Sequence, residues 1–210
     1  MKKIILSMLL IVAVCALGCG GSNTTAQTKT EDTKAQMAAA NSAAPTGALP
    51  SLKDKKVLIA YFSWSGNTRK LAQNIQKKTG GHMFEMEVEK PYPTDYKETV
   101  NQAKAEAGNG ARPALKNKVD NFAQYDVIFL GFPNWWGSAP MPVQTFMASY
   151  DWKGKTVVPF FTHGGGGVQS CNTAVVDALG GAKVLPYLCL RGEDADSAGE
   201  IDKWLGELKF

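Results

Sequence analysis

The sequence predicts an α/β domain built on a doubly wound parallel sheet of five strands. Two observations carry that expectation. Short apolar runs alternate along the chain with stretches whose apolar residues recur at helical spacing. The first such run, Val57-Leu58-Ile59-Ala60-Tyr61-Phe62, breaks into a loop of hydroxyls and one glycine before a helix restarts at Asn67. An unbroken apolar run bounded by charge and turn residues suits a strand buried on both faces of a parallel sheet.

Val57–Phe62 is the first strand. Asn67–Thr79 is the first helix, with Leu71, Ala72 and Ile75 on one side and Gly80-Gly81 as its stop. His82–Val88 sets Met83, Glu85 and Glu87 against Phe84, Met86 and Val88, the alternation of a half-exposed edge strand. The connection from Lys90 to Tyr125 is longer than a crossover needs. It holds Pro91-Tyr92-Pro93, a helix over Thr94–Ala107, and the run from Gly108 to Pro113. Asp126–Phe132 is a strongly apolar strand, Met141–Tyr150 a helix, and Thr156–Phe161 a further buried strand. Cys171–Leu179 is a helix stopped by Gly180-Gly181, and Val184–Leu190 is the last strand. Ser197–Leu208 closes the domain, with Ser197 as N-cap, Glu200 at the capping-box position, and Ile201, Trp204, Leu205 and Leu208 facing in. Strands that alternate with helices pair in parallel through crossovers.

In such a sheet a ligand lies beyond the carboxyl ends of the strands, and three loops meet there. The first is Ser63-Trp64-Ser65-Gly66-Asn67-Thr68. A helix N-terminus offers free N–H groups and the positive end of its dipole to an anion. Ser63, Ser65 and Thr68 add hydroxyls, and Gly66 lets the backbone close on the ligand. No lysine or arginine lies between Val57 and Thr68, so a phosphate here would be held by hydrogen bonds rather than ion pairs. An ordinary strand–turn–helix with Asn67 or Ser65 as N-cap is the plainer alternative. The second loop runs from Pro133 through Asn134, Trp135, Trp136 and Gly137 to Pro140. Adjacent tryptophans just after a buried strand are poorly placed for the core and suit stacking on a flat ligand, with one of them free to pack inward instead. The third loop is Thr162-His163-Gly164-Gly165-Gly166-Gly167-Val168, whose glycines let backbone pass close to a ring edge.

The first loop resembles the flavodoxin phosphate loop, Ser/Thr-x-Ser/Thr-Gly-x-Thr. The pattern of Tyr92, Pro93, Tyr96, Arg112, Pro113 and Leu115 is similar to a flavodoxin-like subfamily of bacterial exported and lipoprotein sequences. The resemblance spans Lys55 to Leu208. It implies strand order 2-1-3-4-5 in the short-chain form, without an insertion in the last strand. It implies non-covalent FMN, its phosphate on Ser63, Ser65, Gly66, Asn67 and Thr68, with Trp64 also at the cofactor. Its ring would lie against Pro133, Asn134, Trp135, Trp136, Gly137, His163, Gly164, Gly165, Gly166 and Gly167. Flavodoxins also turn over a peptide beside the ring when the flavin takes up an electron, and the Trp136–Gly137 peptide is the expected counterpart. Near flavin N1, a protonated His163 would stabilise the reduced anion, with a solvent-exposed loop histidine as the alternative. Tyr92, Tyr96 and Arg112 read as structural, or as reaching the flavin rim.

The N-terminus opens with Met1-Lys2-Lys3, an apolar stretch from Ile4 to Leu17, and Gly18-Cys19, the layout of a secretory signal. Ala16-Leu17-Gly18-Cys19 resembles a bacterial lipobox, which implies lipidation of Cys19 and a membrane-anchored, extracytoplasmic lipoprotein; a plain cleaved signal is the alternative. Residues 20–51 form a disordered tether without aromatic residues, and 52–210 form the domain. Removing Lys2 and Lys3 leaves 21 basic against 19 acidic residues, a net of +2, which gives no electrostatic case for nucleic acid. His82 and His163 are too few and too far apart for a metal site, and Cys171 and Cys189 lack redox or metal spacing. No GxGxxG or Gly-x-Ser-x-Gly motif is present, and no catalytic residue stands out. The expectation is a membrane-tethered, FMN-binding electron carrier that meets a redox protein or a quinone-like acceptor. An FMN-dependent NAD(P)H:quinone-type oxidoreductase and a flavin-free binding module remain the alternatives.

Overall fold

The computed structural model describes residues 49–210. The expected signal segment, Cys19 and the expected tether up to residue 48 lie outside the described residues.

Six strands and five α-helices follow in alternation. They are β1 (Val57–Tyr61), α1 (Asn67–Thr79), β2 (His82–Glu85), α2 (Tyr96–Asn109), β3 (Val127–Pro133), α3 (Met141–Ala148), β4 (Thr156–His163), α4 (Cys171–Ala178), β5 (Lys183–Val184), β6 (Leu188–Arg191) and α5 (Ala198–Glu207). All pairings are parallel in the order β2-β1-β3-β4-β5, with β6 also on β4. β5 and β6 together fill the place of the single last strand expected over Val184–Leu190. The break falls at Leu185-Pro186-Tyr187, between the partner pairs Val157↔Val184 and Phe160↔Leu188. Pro186 and, on the facing strand, Pro159 have no N–H for a ladder bond, so pairing lapses at that level.

Alternate residues of each strand go to opposite faces, and both faces are covered. Leu58, Ala60 and Phe62, with Ile128, Leu130 and Phe132, join Val143 and Phe146 of α3 and Cys171 and Val175 of α4 in one core. Ile59 and Tyr61, with Val127 and Phe129, join Leu71, Ala72 and Ile75 of α1 and Ile201, Trp204 and Leu205 of α5 in the other. Leu52 is buried in that second core, and Leu49 packs against it. At full burial each large apolar side chain contributes about 1.5–3 kcal/mol, so two continuous cores fix the layers. The packing is close: a Cβ on Gly131 would stand 2.0 Å from the ring of its register partner Phe160.

Three expectations shift at element ends. β2 stops at Glu85, and the chain then bridges Val88 to Leu115 in antiparallel fashion. The connection before β3 thus pairs with the strand's continuation, leaving Met86 and Val88 buried as the alternation predicts. β4 runs on to His163, which places Thr162 and His163 on the strand rather than in a loop. Ser197 precedes α5 without a side-chain cap; its carbonyl alone accepts the Ile201 N–H at 3.2 Å.

Candidate functional site

A cavity of about 1200 Å³ opens at the carboxyl ends of β1, β3, β4 and β6. One end is the N-terminus of α1. Gly66 precedes that helix at φ 90°, a left-handed conformation that glycine tolerates. The first-turn N–H groups of Asn67 and Thr68 have no partner within the helix, and Ser65 and Asn67 line the cavity. Gly192, after β6, closes against this loop; a Cβ there would collide with the Asn67 carboxamide.

The two outer hydroxyls of the loop serve the scaffold instead. Ser63 Oγ accepts the Arg69 N–H at 3.2 Å and so caps α1, and Ser63 lines a second, smaller cavity. The N-cap position itself is Gly66, not Asn67 or Ser65, and the side-chain bond to the first turn comes from Ser63. Thr68 is buried, its Oγ1 2.8 Å from Oγ1 of Thr162 on β4. That bond ties α1 to the strand beneath the site. Arg69 follows the loop, but its guanidinium forks onto Glu85 at 2.8 and 2.5 Å, and this bonding raises its pKa further. The cation among the lining residues is Arg191, whose Nε donates to Glu193 at 2.9 Å.

The opposite end is aromatic. Trp135 and Ser138 exchange both backbone hydrogen bonds at 3.1 Å, and Trp136 and Gly137 between them have φ 52° and 83°. Positive φ at both central positions is a type I′ turn. Glycine suits it; a tryptophan there is strained, and such strain gathers at ligand sites. Trp135 packs inward, edge-on to Phe62 at 5.3 Å and Tyr92 at 5.0 Å. Trp136 stays 54% exposed, its Nε1–H donating to Val100 O at 3.1 Å and Lys104 Nζ 5.0 Å from its ring centre. Of the pair, then, Trp135 is half-buried, with its inner edges on Phe62 and Tyr92, and Trp136 is exposed; both line the cavity.

The glycine loop supplies the third wall. His163, Gly164 and Gly166 line the cavity, whereas Gly66, Gly165 and Gly167 do not. Nothing stands within 4 Å of a Cβ placed on Gly164. His163 Nδ1 accepts the Gly165 N–H at 2.9 Å, so a neutral ring carries its proton on Nε2. Trp64, Pro133, Asn134, Trp135 and Gly137 complete the expected residues that meet here.

Sequence reasoning missed the wall made by α2. Tyr96, Thr99, Val100 and Ala103 line the cavity, with Tyr96 71% exposed. Trp64 Nε1–H donates to Pro93 O at 2.9 Å, so indoles from two different loops both bond this arm. Tyr96 is a residue that the resemblance lets reach the flavin rim, but no local signal says where α2 lies. Tyr92 and Arg112 are structural: Tyr92 bonds Glu106 at 2.5 Å, and Arg112 bonds the carbonyls of Gly110 and Ala111 at 3.1 Å. Arg191 and Glu193 had a positional signal, the carboxyl end of a strand followed by Gly192. Among the described residues no group of three or more His, Cys, Asp or Glu could hold a metal ion.

The donor set thus fits a ligand with an anion at one end and a flat apolar ring at the other. The family model for flavodoxin matches residues 56–208. A candidate flavoprotein from Bacteroides uniformis is 30% identical over 74% of this chain and 100% of its own, with a TM-score of 0.65. One from Bacteroides eggerthii is 31% identical over 73% and 97%, with a TM-score of 0.63. A flavoprotein from Lactobacillus acidophilus, solved in complex with FMN, is 25% identical over 69% and 99%, with a TM-score of 0.58. No curated protein matches the chain.

Proposed function

The chain belongs to the flavodoxin family, and from that footing we propose that it binds FMN and carries electrons at a membrane to which Cys19 tethers it. The observation that carries the FMN reading is a cavity with the Asn67 and Thr68 N–H groups of a helix N-terminus at one end and the strained, exposed Trp136 at the other. Ser65, Asn67 and the N–H groups of Gly66, Asn67 and Thr68 would hold the phosphate. Trp136 would stack on the ring, and the backbone of Gly164 to Gly166 would meet its polar edge. Bound FMN supplies the one- and two-electron redox chemistry. Thr68, through Thr162, keeps the helix N-terminus aimed at the anion. Trp64, Trp136 and the α2 wall exclude water from the ring, which disfavours a buried negative charge there. His163, its Nδ1 taken by the Gly165 N–H, would present Nε2–H as a donor.

The size of the cavity favours a second reading, an FMN-dependent reductase of quinone-like acceptors. Single-ligand pockets commonly measure about 300–1,000 Å³, and this one has room beside the flavin. Anaerobic reductive titration of the purified protein with FMN tests both. Bound FMN reduced in two separate one-electron stages supports the carrier. Reduction in one two-electron stage supports the reductase, with a nicotinamide donor and a quinone tried next. Absence of FMN binding removes both readings. Among the described residues no helix is long and apolar enough to cross a membrane, so the tether rests on the N-terminal signal alone. Replacing Cys19 with Ala is expected to move the protein from the membrane fraction to the soluble one.

A further inference from the structure

The two loops that bracket the ring end of the cavity are joined through one side chain. The Asn134 N–H donates to Thr162 O at 2.7 Å, which holds the residue at the rim of the sheet. Its Oδ1 accepts the Gly137 N–H at 2.9 Å, gripping the Trp136–Gly137 peptide from its amide side. Its Nδ2 donates to Gly167 O at 2.7 Å and to Gln169 Oε1 at 3.1 Å, gripping the end of the glycine loop. The circuit closes through backbone, where the Ser170 N–H donates to Gly137 O at 2.8 Å. Every polar atom of the carboxamide has a partner of the right kind, which fixes its orientation.

Each of the two segments it joins holds one strained residue. Trp136 and Gln169 are non-glycine residues with φ 52° and 43°, and Gly137, Gly165 and Gly167 have φ 83°, 132° and 71°. Positive φ at a bulky residue persists only where surrounding bonds over-determine it. A two-residue hairpin alone does not hold a tryptophan there, and four glycines in a row do not order themselves.

We propose that Asn134 is a positioning residue: its carboxamide clasps the Trp136–Gly137 turn to the glycine loop, so that the two ring-side walls hold or release together. The link to FMN rests on the functional reading above; the clasp itself does not. Turning the Trp136–Gly137 peptide over breaks the Gly137 N–H···Oδ1 bond, and that motion is transmitted to Gly167 and Gln169 through the same side chain. Asn134 thereby sets how readily the turn changes state and how firmly the glycine loop meets a ring.

Residue-resolved amide hydrogen exchange on the full, ligand-free chain tests the clasp directly. Asn134→Asp keeps an acceptor for the Gly137 N–H but sets a carboxylate against the Gly167 carbonyl. The Gly137 amide is expected to stay protected while the Gly165 and Ser170 amides exchange tenfold faster or more. Asn134→Ala removes both grips, and all three amides are expected to quicken, with core amides of β3 and β4 unchanged. Unaltered exchange in either segment, in variants whose cores stay protected, overturns the clasp whether or not FMN binds. FMN affinity and midpoint potentials are then read on the same proteins. If wild type binds FMN, both variants are expected to weaken it tenfold or more and to shift the potentials, Asn134→Asp downward because its carboxylate opposes added negative charge. Binding and potentials within twofold and measurement error of wild type overturn the functional part. Failure of wild type to bind FMN counts against the functional reading and leaves the exchange result standing.

Discussion

At the scale of single residues, the site trades backbone comfort for a presented indole. Trp136 occupies the first central position of a type I′ turn, where Asn followed by Gly is the favoured pair. Residues held in such regions cost on the order of 1–3 kcal/mol. Trp136→Asn should therefore raise the stability of the ligand-free protein by about 1 kcal/mol, after loss of the Val100 and Lys104 contacts. It should also weaken FMN binding about tenfold, a stacking loss of roughly 1.4 kcal/mol. Urea unfolding and fluorescence titration on one preparation check both signs. A variant both less stable and unaltered in binding would leave the strain without a functional purpose. The buried groups nearby are plain by contrast. Burial pushes the Cys171 thiol up to about 12 and raises Cys189 as well, so both are poor nucleophiles.

At the scale of elements, α2 decides how enclosed the site is. Only Thr99 and Ala103 of this helix are buried, so packing alone holds it weakly. Asp95 caps it by accepting the Glu98 N–H at 2.9 Å, Thr99 Oγ1 donates to Pro93 O at 2.7 Å, and two indoles pin it from across the cavity. Loss of an N-cap costs about 1 kcal/mol. Asp95→Ala should therefore fray the start of α2 and weaken FMN binding about fivefold, an effect of that size. The sheet ladder does not involve this helix, so the urea midpoint should move little. Comparison of FMN affinity with the unfolding midpoint checks this. An unchanged affinity would mean that the α2 wall does not touch the ligand.

At the scale of the whole molecule, stability should depend on pH on the alkaline side. Burial, and then the carboxylates of Glu85 and Glu106, raise the pKa values of Tyr61 and Tyr92 above the ordinary tyrosine range. Cys171 is raised to about 12 by burial. Unfolded chains titrate Cys near pH ~8.5 and Tyr near ~10. Below those values both states hold the proton and the stabilisation is complete. Above them the unfolded state releases protons that the folded state keeps, so stability falls as pH rises. The urea midpoint should be level from about pH 6 to 8, decline above about 9, and steepen above about 10. Each group contributes up to about 1.4 kcal/mol per pH unit. Tyr92→Phe should flatten the steeper part, and an equal slope in that variant would exclude Tyr92 from the effect.

How much was legible from the chain varied with the range of the interaction involved. Helix and strand positions, the two-faced burial of the sheet and the strand–loop–helix at Ser63–Thr68 follow from local periodicity and turn residues, because neighbours in sequence dictate them. So does the presence of an outward-facing tryptophan after β3. The division of labour inside the Ser63–Thr68 loop was not legible: Ser63, Ser65 and Thr68 look alike in sequence, and only the positions of Arg69 and Thr162 show that the hydroxyls of Ser63 and Thr68 bond the scaffold while Ser65 lines the cavity. The same holds for the different packing of Trp135 and Trp136, which Phe62 and Tyr92 decide by holding the inner edges of Trp135. The split of the last strand needed Pro159 and Pro186 to be seen side by side. The sequence by itself determined the layers of this protein and the chemical kinds of group at its carboxyl edge. Tertiary structure decided which of those groups face the cavity, because hydrogen bonds and ring contacts between residues far apart in the chain depend on how the layers meet.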